Sequence, residues 1–133
     1  EAGVMSPQMR MALKMYENVG SASVELEEND QHKMVTVLLG GVQRRVGEAM
    51  AAVSLKDYEK KAELVTKAQK IIFGLRKTLD FENGGELAVN LDSLYDYCLR
   101  TLTSAHVNNN LSLFQEVQDI FQDLLDAWAE IGS

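Results

Sequence analysis

FQEVQDIFQDLLDAWAEI, Phe114 to Ile131, places Phe114, Val117, Phe121, Leu124, Trp128 and Ile131 at alternating steps of three and four. At about 100° per residue those six side chains form one stripe, the spacing of a helix packed along a bundle seam. A helix of that kind needs partners with matching stripes, and the sequence before it supplies three. Leu87, Leu91, Leu94, Cys98, Leu102 and Ala105 step by four and three until Asn108, Asn109 and Asn110 end the run, with Asn110 placed to cap the last helix. Before that, Leu64, Ala68, Ile71, Ile72, Leu75 and Leu79 mark a helix closed by a turn at Asn83, Gly84 and Gly85.

The first long helix reads from about Asp30 to Val53, capped by Asn29 or Asp30 and broken at Ser54 to Lys56. Its stripe of Met34, Leu38, Val42, Ala49 and Val53 is widened by Val35, Leu39, Val46 and Met50. Gly40 and Gly41 inside it cost about 2 kcal/mol against alanine, which predicts close helix contact or a flexible point. The stripes and short turns predict an all-α chain: residues 30–133 form an antiparallel, up-and-down four-helix bundle.

Residues 1–29 read differently, as a mobile N-terminal segment with a short extra N-terminal helix. Ser6 and Pro7 start that helix, Met9, Leu13 and Tyr16 line one side of it, and Gly20 stops it. The stretch from Ser21 to Asn29 is polar and acidic, a connection. Met5, Met9, Met11 and Met15 offer an adaptable apolar surface, suited to a partner or to an open edge of the bundle. Glu1, Ala2 and Gly3, without an initiator methionine, read as a remnant or truncation.

A chain of 133 residues can bury a core without disulfides, and its single cysteine, Cys98, reads as a buried thiol in a reducing compartment. No apolar run reaches the length of a membrane span, and no basic-then-apolar leader opens the chain, so the expected location is the cytoplasm. A net charge of −7 argues against nucleic acid and anionic membranes as partners. Lys and Arg outnumber Asp and Glu seven to four between Ser54 and Asp80, whereas five acids and no base follow Asn108. That asymmetry serves either attraction between neighbouring helices or a charged docking face.

Catalytic chemistry finds little support. A di-iron bundle needs Glu-x-x-His pairs, and neither His32 nor His106 has an acid three residues before it. One cysteine excludes a c-type haem. Both histidines read as solvated end residues; a phosphotransfer bundle using His106 is the enzymatic alternative, but three asparagines follow its neighbour Val107. Gly84 and Gly85 lack the lysine of a phosphate loop. We therefore expect no catalytic residues, metal or cofactor. Beside the core stripe of the third helix runs a shoulder of Glu86, Asn90, Ser93, Tyr97, Thr101 and Ser104, while Phe73 and Val37 fall off the core faces of their helices. Apolar side chains so placed suit a partner groove, and a bundle that merely oligomerises through its first helix is the structural alternative.

The run GGELAVNLDSLYDY, Gly84 to Tyr97, resembles the FliS family, the cytoplasmic chaperones of flagellin in bacterial flagellar export. KAQKIIFGLRKTLDFENGG before it, and the asparagine break, EVQDIF and DAWAEI after it, resemble the family's flanking helices. Near the start, LKMYENV places Leu13 and Tyr16 where the family carries an aliphatic residue and a tyrosine. Asn29 and Asp30 replace the usual Ser-Pro, and two glycines stand at Gly40 and Gly41 where one is usual. The resemblance implies no enzyme but a chaperone that wraps the disordered C-terminal region of flagellin in helical pieces, prevents its premature polymerisation and aids delivery to the export gate. On that reading Leu13 and Tyr16 carry contacts of the N-terminal helix, including the export gate, and Val37, Phe73, Asn90 and Tyr97 face the client.

Overall fold

The computed structural model describes residues 28–77 and 79–132, whose regular structure is four helices: α1 (Glu28–Ser54), α2 (Tyr58–Lys77), α3 (Phe81–Asn108) and α4 (Leu111–Gly132). Caps and breaks set where each apolar stripe begins. Asn29 and Asp30 lie inside the first turn of α1 rather than ahead of it. The other end of α1 closes with Lys56 at φ 58, its N–H on the Val53 carbonyl and the Asp57 N–H on the Ala52 carbonyl. That pair of reversed bonds satisfies terminal carbonyls that the helix leaves open. Asp57 then accepts the Lys60 N–H at the start of α2.

The same device ends α3. Asn109 is left-handed at φ 48, and Asn110 N–H reaches the Ala105 carbonyl. Asparagine tolerates that conformation better than most residues. Asn110 caps α4 as expected, its Oδ1 accepting the N–H groups of Ser112 and Leu113.

The turn between α2 and α3 departs from expectation. Asp80, not Gly84, opens α3: its carboxylate accepts the Asn83 N–H and its carbonyl accepts the Gly84 N–H. One helical turn follows before Gly85, at φ 52 and ψ −129, interrupts it. The glycine pair thus marks a kink within α3 rather than the interhelical turn.

α1 packs most extensively on α4 and α2, and α3 packs on both α2 and α4, closing a ring of four. His32 meets Trp128 and Gln43 meets Gln122 between α1 and α4. Between α2 and α3, Lys61 meets Asn109, Gln69 meets Thr103 and Arg76 meets Asp92. The buried centre holds Phe114, Phe121, Ile72, Leu102, Val42, Val46, Val117 and Cys98. Leu64, Ala68, Ile71, Ile72, Leu75 and Leu79 are all buried as expected, although Leu79 lies beyond α2.

Two faces shift. The buried side of α3 is Ala88, Tyr95, Cys98, Leu102 and Ala105, with Leu91 packed against them; Leu87 is exposed and Leu94 only half-buried. Ile131, expected in the α4 seam, is also exposed. Nor do α2 and α4 pack on each other among the described residues, so the basic and acidic halves do not attract one another as neighbours.

Glycines fit α1 to its partners unequally. A Cβ on Gly41 would lie 3.6 Å from Ile71 Cδ1, and one on Gly47 would lie 2.5 Å from Gln118 Nε2, which donates to the Gln43 carbonyl. A Cβ on Gly40 meets only Leu125 Cδ2, at an ordinary 4.0 Å. Gly40→Ala should therefore stabilise the fold by about 1 kcal/mol in urea unfolding, through helix propensity alone. Gly47→Ala should gain less, since Gln118 must move away.

Candidate partner-binding surface

The described candidates for partner contact stand on three separate flanks of the bundle. Leu13 and Tyr16 lie outside the described residues. Val37, 61% exposed, sits one turn before Gly41, which faces Ile71, so it borders the seam of α1 with α2. Phe73, 50% exposed, lies between Gln69 and Arg76, both of which reach across to α3. Lys77 places its ammonium 4.9 Å from the Phe73 ring centroid. Tyr97, 38% exposed, borders α4 instead. Its hydroxyl donates to Glu116 Oε2 at 2.5 Å, and the Arg100 guanidinium lies 5.9 Å from its ring. The bond to Glu116 is the main reason the Tyr97 hydroxyl is raised in pKa. Asn90 is exposed, two turns before Tyr97 on the same flank.

These residues form no single pocket; they surround the bundle. The shoulder on α3 is also less free than its spacing suggests, because Thr101 is buried. What sequence reasoning missed is the apolar content of the α3–α4 flank. Leu87 and Leu94 precede Tyr97 by ten and three residues and share its side of α3. Across the seam, Leu113 and Ile120 lie three before and four after Glu116, both half-buried against the core. A phase test of α3 against the neighbouring stripe from Ala88 through Tyr95 would have exposed Leu87.

Around Arg76 the α2–α3 seam carries an ionic network. Arg76 Nε lies 2.7 Å from Asp92 Oδ1 and its Nη1 3.0 Å from Asp96 Oδ1, while Arg100 Nε lies 3.0 Å from Asp96 Oδ2. Asp96 is held below the usual carboxylate range, first by the hydrogen bond from Arg100. Partly exposed pairs of this kind fix register more than they add stability.

Neither histidine is simply a solvated end residue. His32 stacks on Trp128 with centroids 4.8 Å apart; its Nε2 donates to the Trp128 carbonyl at 2.8 Å, and Trp128 Nε1 donates to the His32 carbonyl at 3.0 Å. His106 offers its carbonyl to buried Lys61 Nζ at 2.9 Å, and the same ammonium reaches Asn109 Oδ1 at 2.6 Å. Lys61 thus supplies a cation to the carbonyl end of α3. His106 Nδ1 is buried with no partner among the described residues. Burial, and then the Lys61 charge, lower the His106 pKa below its ordinary 6.5. An unfolded chain therefore binds the His106 proton more readily, so this residue's contribution to stability is full above about 6.5 and is lost as pH falls towards the lowered folded value. Thermal melts should show that loss in the parent chain and a flatter acid limb in His106→Gln.

Cys98 is buried, as expected, and burial pushes its thiol up to about 12, so it is a poor nucleophile. Among the described residues no three His, Cys, Asp or Glu side chains gather to hold a metal ion, and no helix is long and apolar enough to cross a membrane.

The family model described as flagellar protein FliS matches residues 12–133. The chain is similar to the flagellar secretion chaperone FliSB of Pseudomonas aeruginosa, 36% identical over 121 residues that cover 91% of this chain and 95% of the relative. It is 34% identical to flagellar secretion chaperone FliS of Vibrio cholerae, covering 92% of this chain and 90% of the relative, and 32% identical to that of Salmonella typhimurium, covering 90% and 89%.

Proposed function

The chain belongs to the flagellar protein FliS family, a family of flagellar secretion chaperones and not of enzymes, and from that premise we propose that its client is the C-terminal region of unassembled flagellin. Bound in the bacterial cytoplasm, the client is kept from polymerising and handed to the flagellar export gate. The observation that carries this reading is the placing of Val37, Phe73 and Tyr97 on three different flanks. A small ligand needs converging side chains, whereas an extended polypeptide that folds as it binds can lay successive apolar faces into successive seams.

In this proposal the bundle is antiparallel and up-and-down, a reading supported by residue numbers that fall on one helix as they rise on its neighbour. Residues 30–133 are the client-binding domain, and residues 1–29 the segment whose short helix, with Leu13 and Tyr16, serves client and gate. The α3–α4 flank takes the most apolar piece of client, between Leu87 and Leu94 on one side and Ile120 on the other.

Calorimetry of the full chain with a C-terminal flagellin peptide from the same organism should give a one-to-one complex, with helicity gained on mixing. No heat and no new helicity at micromolar concentration would sink the proposal. Within a positive result, Val37→Asp and Phe73→Asp should each weaken binding without lowering the helix signal of the free chain.

A further inference from the structure

Asn83 and Gly84 are the chain's one Asn-Gly step, and they sit in the single turn between the Asp80 cap and the Gly85 kink. Glycine carries no side chain to shield its amide nitrogen, and its backbone reaches conformations closed to other residues. We propose that Asn83 is a site of spontaneous deamidation, and that Asp80 sets its rate.

The chemistry needs only water. The Gly84 amide nitrogen loses its proton to solvent base and attacks Asn83 Cγ; the bond from Cγ to Nδ2 breaks and ammonia leaves. The resulting five-membered imide then takes up one water at either carbonyl. Opening at one gives aspartate, and opening at the other gives isoaspartate, in which the main chain runs through the former side chain. No oxidant, metal or enzyme enters the balance.

Asp80 opposes each movement this reaction requires. Its carbonyl holds the Gly84 N–H at 2.7 Å, so the attacking nitrogen is tied away from the side chain. Its two carboxylate oxygens hold Asn83 at both ends, Oδ1 accepting the backbone N–H at 3.1 Å and Oδ2 accepting Nδ2 at 2.8 Å. The restraint is local. Asn83 is exposed, and Gly85 at φ 52 cuts the helical ladder directly after the reacting pair, so this turn can open without unwinding the rest of α3.

Conversion would also remove the restraint. Aspartate at this position loses the Nδ2 donor and sets a second carboxylate beside Asp80, while isoaspartate adds a backbone carbon that the Asp80-to-Gly84 bond cannot span unchanged. The corner joining α2 to α3 would loosen in aged molecules.

The full chain, held in mildly alkaline buffer at physiological temperature, should be sampled by peptide mass mapping. The peptide containing Asn83 should gain the mass difference between an amide and an acid several-fold sooner than the peptide containing Asn108 to Asn110. Asp80→Ala should convert faster than the parent, and Gly84→Ala should show almost no conversion. Asp80→Ser, which still caps the helix but cannot hold Nδ2, should fall between the parent and Asp80→Ala if the latter has lost helicity. Conversion of Asn83 no faster than at Asn108 to Asn110, or equal rates in the parent and both Asp80 variants, would overturn the proposal.

Discussion

Trp128→Ala should cost about 3–5 kcal/mol in urea unfolding followed by circular dichroism, the range for deleting a large buried aromatic. Trp128 is 8% exposed and holds together the ends of α1 and α4 in three ways at once. Its ring fills the seam and stacks on His32, its Nε1 donates to the His32 carbonyl, and its own carbonyl accepts from the His32 ring. Alanine leaves the cavity and removes one of two side-chain donors to the His32 carbonyl, the other being Thr36 Oγ1 at 3.0 Å, so the cavity dominates the cost. His32→Ala keeps the indole in place and should cost only about 1–2 kcal/mol, the sum of one hydrogen bond and a ring contact. Domains of this size are stable by roughly 5–15 kcal/mol, so the tryptophan variant should sit near the edge of folding.

Gly85→Ala is expected to cost about 1–3 kcal/mol, measured the same way. At φ 52 and ψ −129 this residue occupies backbone space that L side chains rarely enter. Nothing lies within 4 Å of an added Cβ, so crowding makes no contribution and the penalty is one of backbone strain. Its neighbour gives the contrast. Gly84 has no positive φ and lies in the helical turn, so Gly84→Ala should be neutral or mildly stabilising through helix propensity. Two adjacent glycines that read alike in sequence should thus separate by about 1–4 kcal/mol.

How far the fold was legible depended on how much of each helix was decided locally. α2 and α4 carry aliphatic and aromatic residues on one side and charge on the other, and all but Ile131 of their expected stripes lie inside or against the core. On α3 two candidate stripes share Leu91 and Cys98. One adds Leu87 and Leu94, the other Ala88 and Tyr95, and hydrophobicity favours the leucines. Packing chooses the second, because a small alanine admits close approach and the Tyr95 ring lies 6.3 Å from that of Phe121. Nothing within α3 itself contains that preference.

The surface was less legible for a related reason. Lys61 reads as a solvated cation until the last carbonyl turn of α3 is brought against it, and His32 reads as a free end until a residue 96 positions away arrives. The family motif from Gly84 to Tyr97 identified the family, although only Ala88 and Tyr95 within it are buried and its Gly85 kinks α3. The exposure of Val37 and Phe73 was legible because an apolar residue off phase with its own helix needs no knowledge of its neighbours.

Among the described residues the most extensive packing joins the first helix to the last. During synthesis the apolar side of α1 that belongs against α4 leaves the ribosome long before its partner exists, while the contact with α2 can form early across a short connection. A nascent chain would therefore present Leu39, Val42 and Val46 to the cell until α4 has been made. For that interval a chaperone of this architecture exposes apolar surface of its own.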